Sequence, residues 1–115
     1  MGVNVIEKTE QFQEVLEQQH TFFLLKHSLT CPISSEAKEQ YERFWEEAEI
    51  PQYVLYVQEA RPLSNHIAET FDVKHESPQA LLFHGKEVVW HTSHWNITKE
   101  ALHAAAHDQI KRENQ

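Results

Sequence analysis

Cys31 is the only cysteine in the chain and the centre of the stretch Lys26-His27-Ser28-Leu29-Thr30-Cys31-Pro32-Ile33-Ser34. A lone cysteine cannot close an intramolecular disulfide, which leaves a buried thiol, an intermolecular partner or a reactive thiol. Pro32 follows it directly, and the fixed φ and missing N–H of proline suit the first turn of a helix. A cysteine at that point meets unpaired backbone N–H groups and the positive end of the helix dipole, and both favour thiolate over thiol. A free cysteine is often an inert small hydrophobe, but the polar neighbours Ser28, Thr30, Ser34 and Ser35 argue against a core interior. Ser34 stands three residues on and can donate a hydrogen bond to the sulfur. It cannot attack a disulfide, so an adduct formed on Cys31 has to be resolved by a second thiol molecule.

Other residue types point to weaker chemistry. Among the nine histidines, His103 and His107 lie four apart in a helical pattern, and His91-x-x-His94 precedes them. A structural zinc site takes about four ligands, and neither pair has a recognisable third partner nearby, so these read as surface histidines and no metal is expected. His27 is in reach of the thiolate in sequence, yet a thiolate at a helix start needs no general base. Lys26 and Lys74 read as ordinary solvated lysines, with contact to the carboxylates of a small-thiol ligand as the alternative for either. Asn96-Ile97-Thr98 matches a glycosylation acceptor, but no secretion signal accompanies it.

The elements that must position Cys31 follow from periodicity. Val3-Asn4-Val5-Ile6 suits a short strand, and Thr9 an N-cap for a helix with Phe12, Val15 and Leu16 on one face. Thr21-Phe22-Phe23-Leu24-Leu25 is continuously apolar, as a strand covered on both faces is. After Cys31, Ile33, Ala37, Tyr41, Phe44, Trp45 and Ala48 recur at three- and four-residue steps, predicting an amphipathic helix over about 32–49. Its aromatic residues read as core rather than a recognition surface. Tyr53 to Val57 reads as a strand, and Pro62 opens a helix with Leu63, Ile67 and Phe71 on one face. Ala80-Leu81-Leu82-Phe83 and Glu87-Val88-Val89-Trp90 flank Gly85-Lys86, which has the Gly-X form of a type II′ hairpin turn. A terminal helix carries Ala101, Leu102, Ala105 and Ile110.

The order βαβαβα, hairpin, helix places helices on both faces of a mixed sheet. At 115 residues and 40% hydrophobic composition, one domain over 1–115 is expected. The net charge of −8 and the lack of a basic run disfavour nucleic acid and anionic membrane surfaces. Met1 to Glu10 lacks the pattern of a signal peptide, and no run is long and apolar enough to span a bilayer, so a soluble cytoplasmic protein is expected.

Element order and motifs together resemble the thioredoxin-like superfamily. Cys31-Pro32-Ile33-Ser34 lies where those proteins carry CxxC, with Ser34 at the second cysteine position. Ser77-Pro78-Gln79-Ala80-Leu81-Leu82-Phe83 with Gly85 resembles their cis-proline segment and hairpin. The pairing of KHSLTCPIS with HESPQALLF is most similar to the bacillithiol-system redox-active proteins of the YtxJ type, the monothiol bacilliredoxins. The resemblance implies an α/β thioredoxin-like fold, with a central mixed sheet of four to five strands and about four helices. It implies a thiol-disulfide oxidoreductase that removes bacillithiol from mixed disulfides on protein cysteines, with Cys31 as nucleophile. Thr30, Pro32, Ile33 and Ser34 would support the thiolate, while Ser77 and Pro78 would hold the small thiol. Bacillithiol would be co-substrate, with no bound cofactor, and bacillithiolated client proteins would be the partners. A monomer is expected, with a Cys31-linked dimer on oxidation. Two rival readings remain open: a monothiol glutaredoxin-like iron–sulfur carrier, and a non-catalytic thioredoxin-fold binding adaptor.

Overall fold

The computed structural model describes residues 4–29, 32–47 and 50–113, the last four by backbone alone. In chain order the elements are β1 (Asn4–Val5), α1 (Thr9–Gln18), β2 (Thr21–His27), α2 (Pro32–Glu47), β3 (Gln52–Tyr56), α3 (Arg61–Phe71), β4 (Gln79–His84), β5 (Glu87–Ser93) and α4 (Lys99–Glu113). A single 3₁₀ turn, His94–Asn96, joins β5 to α4. The five strands form one sheet in the order β1-β3-β2-β4-β5. Strands β1, β3 and β2 run parallel, β4 is antiparallel to β2, and β5 antiparallel to β4. This is the mixed α/β architecture that the resemblance implies.

The apolar run of β2 is continuous because both of its faces are covered. Phe22 and Leu24 join Phe12 and Val15 of α1 and Leu63 and Ile67 of α3 in one core layer. Phe23 and Leu25 join Ala37, Tyr41 and Phe44 of α2 and Leu102, Ala105 and Ala106 of α4 in the other. Phe22 stacks on Phe83 at 4.7 Å between ring centroids, and Phe12 meets Phe83 edge-on at 5.5 Å. Tyr41 is fully buried, its hydroxyl donating to the Tyr53 carbonyl at 2.9 Å, which offsets the cost of taking a phenol out of water. Trp45 is partly buried, so the aromatic face of α2 is mainly core, as expected.

Several local expectations need correction. Thr9 is the first residue of α1 rather than its cap; instead the Gln11 side chain accepts from the N–H groups of Glu7 and Lys8 at 2.8 and 3.0 Å. Strand β2 runs two residues further than the apolar run, through Lys26 and His27, because both pair with β3. Strand β5 runs to Ser93, since His91, Thr92 and Ser93 pair with Leu81, Ala80 and Gln79 beyond an irregularity at Leu82/Phe83. In the hairpin turn both Gly85 (φ 57°) and Lys86 (φ 66°) are left-handed. That is the type I′ signature, whose twist matches the flanking strands, rather than type II′. The expected helical positions Ala48 and Glu49 lie outside the described residues.

Candidate active site

The candidate site lies at the end of the sheet where β2 stops and α2 begins. Thr30 and Cys31 lie outside the described residues, but both flanks are described. The Ser28 N–H donates to Ser34 Oγ at 3.2 Å, tying the end of β2 to the first turn of α2. The Leu29 N–H donates to Gln58 Oε1 at 3.1 Å, and Gln58 Nε2 donates to Ser28 Oγ at 2.8 Å. The Val57 N–H donates to the His27 carbonyl at 2.9 Å, so the segment after β3 holds the same stretch from the side. These bonds bring Ser28 and Leu29 against the start of α2 at Pro32.

Ser34 is fully buried. Its oxygen accepts from Ser28, which leaves the hydroxyl proton free to donate elsewhere. A residue at this position therefore has an architectural task before any electronic one. Pro32 is exposed and Ile33 partly buried. Gln58 is a site-building residue that sequence reasoning missed, for its partners are about thirty positions away and no local pattern announces it.

The opposite wall is the segment before β4. The Ser77–Pro78 peptide bond is cis, as the resemblance implies, and the Pro78 carbonyl accepts from the His94 N–H at 3.0 Å. Ser77 Oγ is buried and makes no hydrogen bond among the described residues. Gln79 follows Pro78 and pairs across the sheet with Lys26 on one side and Ser93 on the other. The pairing of Gln79 with Lys26 thus brings the Ser77–Pro78 segment beside the end of β2, which stops at His27, four residues before Cys31.

The charged groups nearby hold surprises. Lys26 is not a solvated lysine: it is fully buried, and desolvation brings its ammonium down to about 8 from its ordinary 10.5. Its Nζ donates to the Ser64 carbonyl at 3.1 Å. His27 is buried and packs on Tyr56 at 5.3 Å, and its pKa is lowered first by burial and then by Lys38. It favours the neutral ring. Lys38 itself donates to the Tyr56 hydroxyl at 3.1 Å. Lys74 is exposed.

Beside Ile33, a cleft of about 280 Å³ opens between the first turns of α2 and the 3₁₀ turn, lined by Ala37, Gln40, Trp95, Ile97 and Thr98 among others. Trp95 is 67% exposed, and sequence reasoning assigned it no role. Of the four histidines expected as surface pairs, His94 lines this cleft and its N–H holds the Pro78 carbonyl, while His103 and His107 lie on α4. His107 is exposed, and His103 packs on Phe44 and lies 3.5 Å from Glu47. Among the described residues no three His, Cys, Asp or Glu side chains converge as metal ligands, and no helix is long and apolar enough to cross a membrane.

Comparison with known proteins agrees with this geometry. The family model "Monothiol bacilliredoxin BrxC" matches residues 4–102. A solved thioredoxin-fold protein provisionally described as an oxidoreductase shares 41% identity at a TM-score of 0.87, over 90% of this chain and 93% of that one. Thioredoxin from Trypanosoma brucei brucei superposes at a TM-score of 0.75 with 14% identity, over 95% and 91% of the two chains. A mutant form of thioredoxin from Halobacterium salinarum superposes at 0.73 with 15% identity, over 90% and 87%. The last two show a common fold alone.

Proposed function

Since the chain belongs to the monothiol bacilliredoxin family, we propose that it is a thiol-disulfide oxidoreductase that removes bacillithiol from mixed disulfides on client cysteines. The Cys31 thiolate attacks the bacillithiol sulfur. A new S–S bond forms between Cys31 and bacillithiol while the client–S bond breaks, and the client leaves as a thiolate that takes up a proton. A second bacillithiol thiolate then attacks the adduct, giving bacillithiol disulfide and restoring Cys31. One disulfide is consumed and one formed, so bacillithiol is a co-substrate and no bound cofactor is required. Ser77 and Pro78 hold the small-thiol half of the mixed disulfide, and the reaction takes place in the cytoplasm on a monomer.

The observation that carries this reading is the hydrogen bond of Ser28 to Ser34. The position at which a two-thiol reductase would keep its resolving cysteine is a buried serine that supports the fold, so resolution must come from solution. Pro32 suits a helix start, and the unpaired N–H groups and positive dipole end of such a start favour a thiolate nucleophile. The test is intact mass spectrometry after mixing with a bacillithiolated client. The adduct is expected to move to the wild-type chain and not to Cys31→Ser; no transfer, or equal loss from the client with Cys31→Ser, would overturn the reading.

A further inference from the structure

Lys26 takes no part in the bond exchange above, yet it is fully buried at the catalytic end of β2. It lies in register with Leu55 on β3 and with Gln79, the residue after Pro78, on β4. Its Nζ donates to the Ser64 carbonyl of α3 at 3.1 Å and lies 3.4 Å from His75 Nδ1. Ser64 Oγ lies 3.2 Å from the same ring nitrogen. His75 belongs to the segment 74–77 that leads into Pro78, and Gln79 Nε2 donates to the Lys74 carbonyl at 3.0 Å, a second tie on that segment. An ammonium taken out of water without a carboxylate is strongly penalised, and among the described residues Lys26 forms no ion pair.

We propose that Lys26 is a positioning residue of the exchange reaction: through His75 it clamps segment 74–77 onto the end of the sheet, fixing Ser77 and Pro78 where they meet the small-thiol half of the mixed disulfide. What Ser77 and Pro78 bind rests on the reading above; the clamp itself does not. Nδ1 accepts from Lys26 or Ser64 only while it carries no proton, so the closed clamp needs neutral His75 with its proton on Nε2. Burial and the Lys26 ammonium, followed by Arg61 of α3, lower the pKa of His75, while Glu76 raises it more weakly. Lys74 is the remaining charged group of the segment. The net effect keeps the acceptor available below the ordinary histidine range, and stronger acid turns it into a donor facing an ammonium.

The experiment measures binding of a bacillithiolated peptide to the Cys31→Ser variant by calorimetry between pH 5 and 8, where no thiol of the protein titrates. Adding Lys26→Met is expected to weaken binding roughly fivefold at pH 7, the equivalent of one neutral hydrogen bond, and to flatten the acid limb. His75→Gln keeps an acceptor oxygen but does not titrate here, so affinity at pH 7 is retained and the acid limb vanishes. Amide hydrogen exchange over 74–77, which needs no bacillithiol, should speed up in Lys26→Met and, relative to the intrinsic rate, in wild type at the acid end of that pH range. If Lys26→Met fails to fold, His75→Ala carries the same expectations. Unchanged exchange over 74–77 in a folded variant would overturn the clamp. A loosened segment with unchanged affinity would overturn its link to the substrate, and absence of peptide binding throughout would overturn the exchange reading and leave the clamp to be judged by hydrogen exchange.

Discussion

Ser34 shows how one residue's chemistry and its architecture separate. It accepts the Ser28 N–H while fully buried, so Ser34→Ala leaves that donor without its partner. The expected cost is about 1–2 kcal/mol in chemical denaturation, with adduct transfer to Cys31 still occurring. Loss of transfer in a stable Ser34→Ala protein would instead give the hydroxyl an electronic role. The start of α2 at Pro32 was legible in the sequence because a proline suits the first turn of a helix, whereas the cis Ser77–Pro78 bond was expected only from the resemblance carried by HESPQALLF. The burial of Lys26 was not legible. A lysine after four apolar residues reads as the wet end of a strand, and its partners Ser64 and His75 lie 38 and 49 positions away. Gln58 escaped for the same reason.

At the scale of elements, periodicity located the five strands and four α-helices of the described residues but not the 3₁₀ turn, and most errors fell at element ends. The alternation of Phe22, Phe23, Leu24 and Leu25 between two core layers is a property of tertiary cover, and the sequence displays it as an unbroken apolar run. Ends depend on pairing partners: β2 gained Lys26 and His27 from β3, and β5 gained His91 to Ser93 from β4. Helix α1 is anchored by Phe12, which is fully buried and meets Phe22, Phe71 and Phe83 edge-on. Phe12→Ala is expected to destabilise the fold by about 3–5 kcal/mol, read as a lower urea midpoint. A loss under about 1 kcal/mol would mean that α1 collapses onto the gap or contributes little.

Across the whole molecule, titratable groups that folding desolvates set the pH range of stability, from buried His27, Lys26 and Tyr41 to exposed His75. His27 and His75 have lowered pKa values in the fold, so the unfolded chain binds more protons below about 6.5 and stability is lost as pH falls through their folded values. The pKa of Tyr41 is raised well above 10, chiefly by burial, so the stability it contributes is lost as pH rises past its unfolded value. Lys26 acts oppositely to Tyr41: between about 8 and 10.5 the unfolded chain holds a proton that the fold releases, and stability gains with pH there. Lys26→Met is therefore expected to be more stable than wild type at pH 7, with the gap narrowing by pH 9.5 in urea titrations. A gap that stays constant over that range would show that desolvation of the ammonium is not its source.

The central claim is that a single thiol, Cys31, takes the small thiol and releases the client intact. The most direct measurement is a single-turnover reaction with bacillithiol- and glutathione-modified forms of one client in parallel, quenched with acid and resolved by intact mass. The account predicts a Cys31–bacillithiol adduct and a free client thiol, transfer from the glutathione form that is slower, and return to the unmodified chain when bacillithiol is added. A Cys31–client disulfide as the main product, or transfer from the two forms at equal rates, would contradict it.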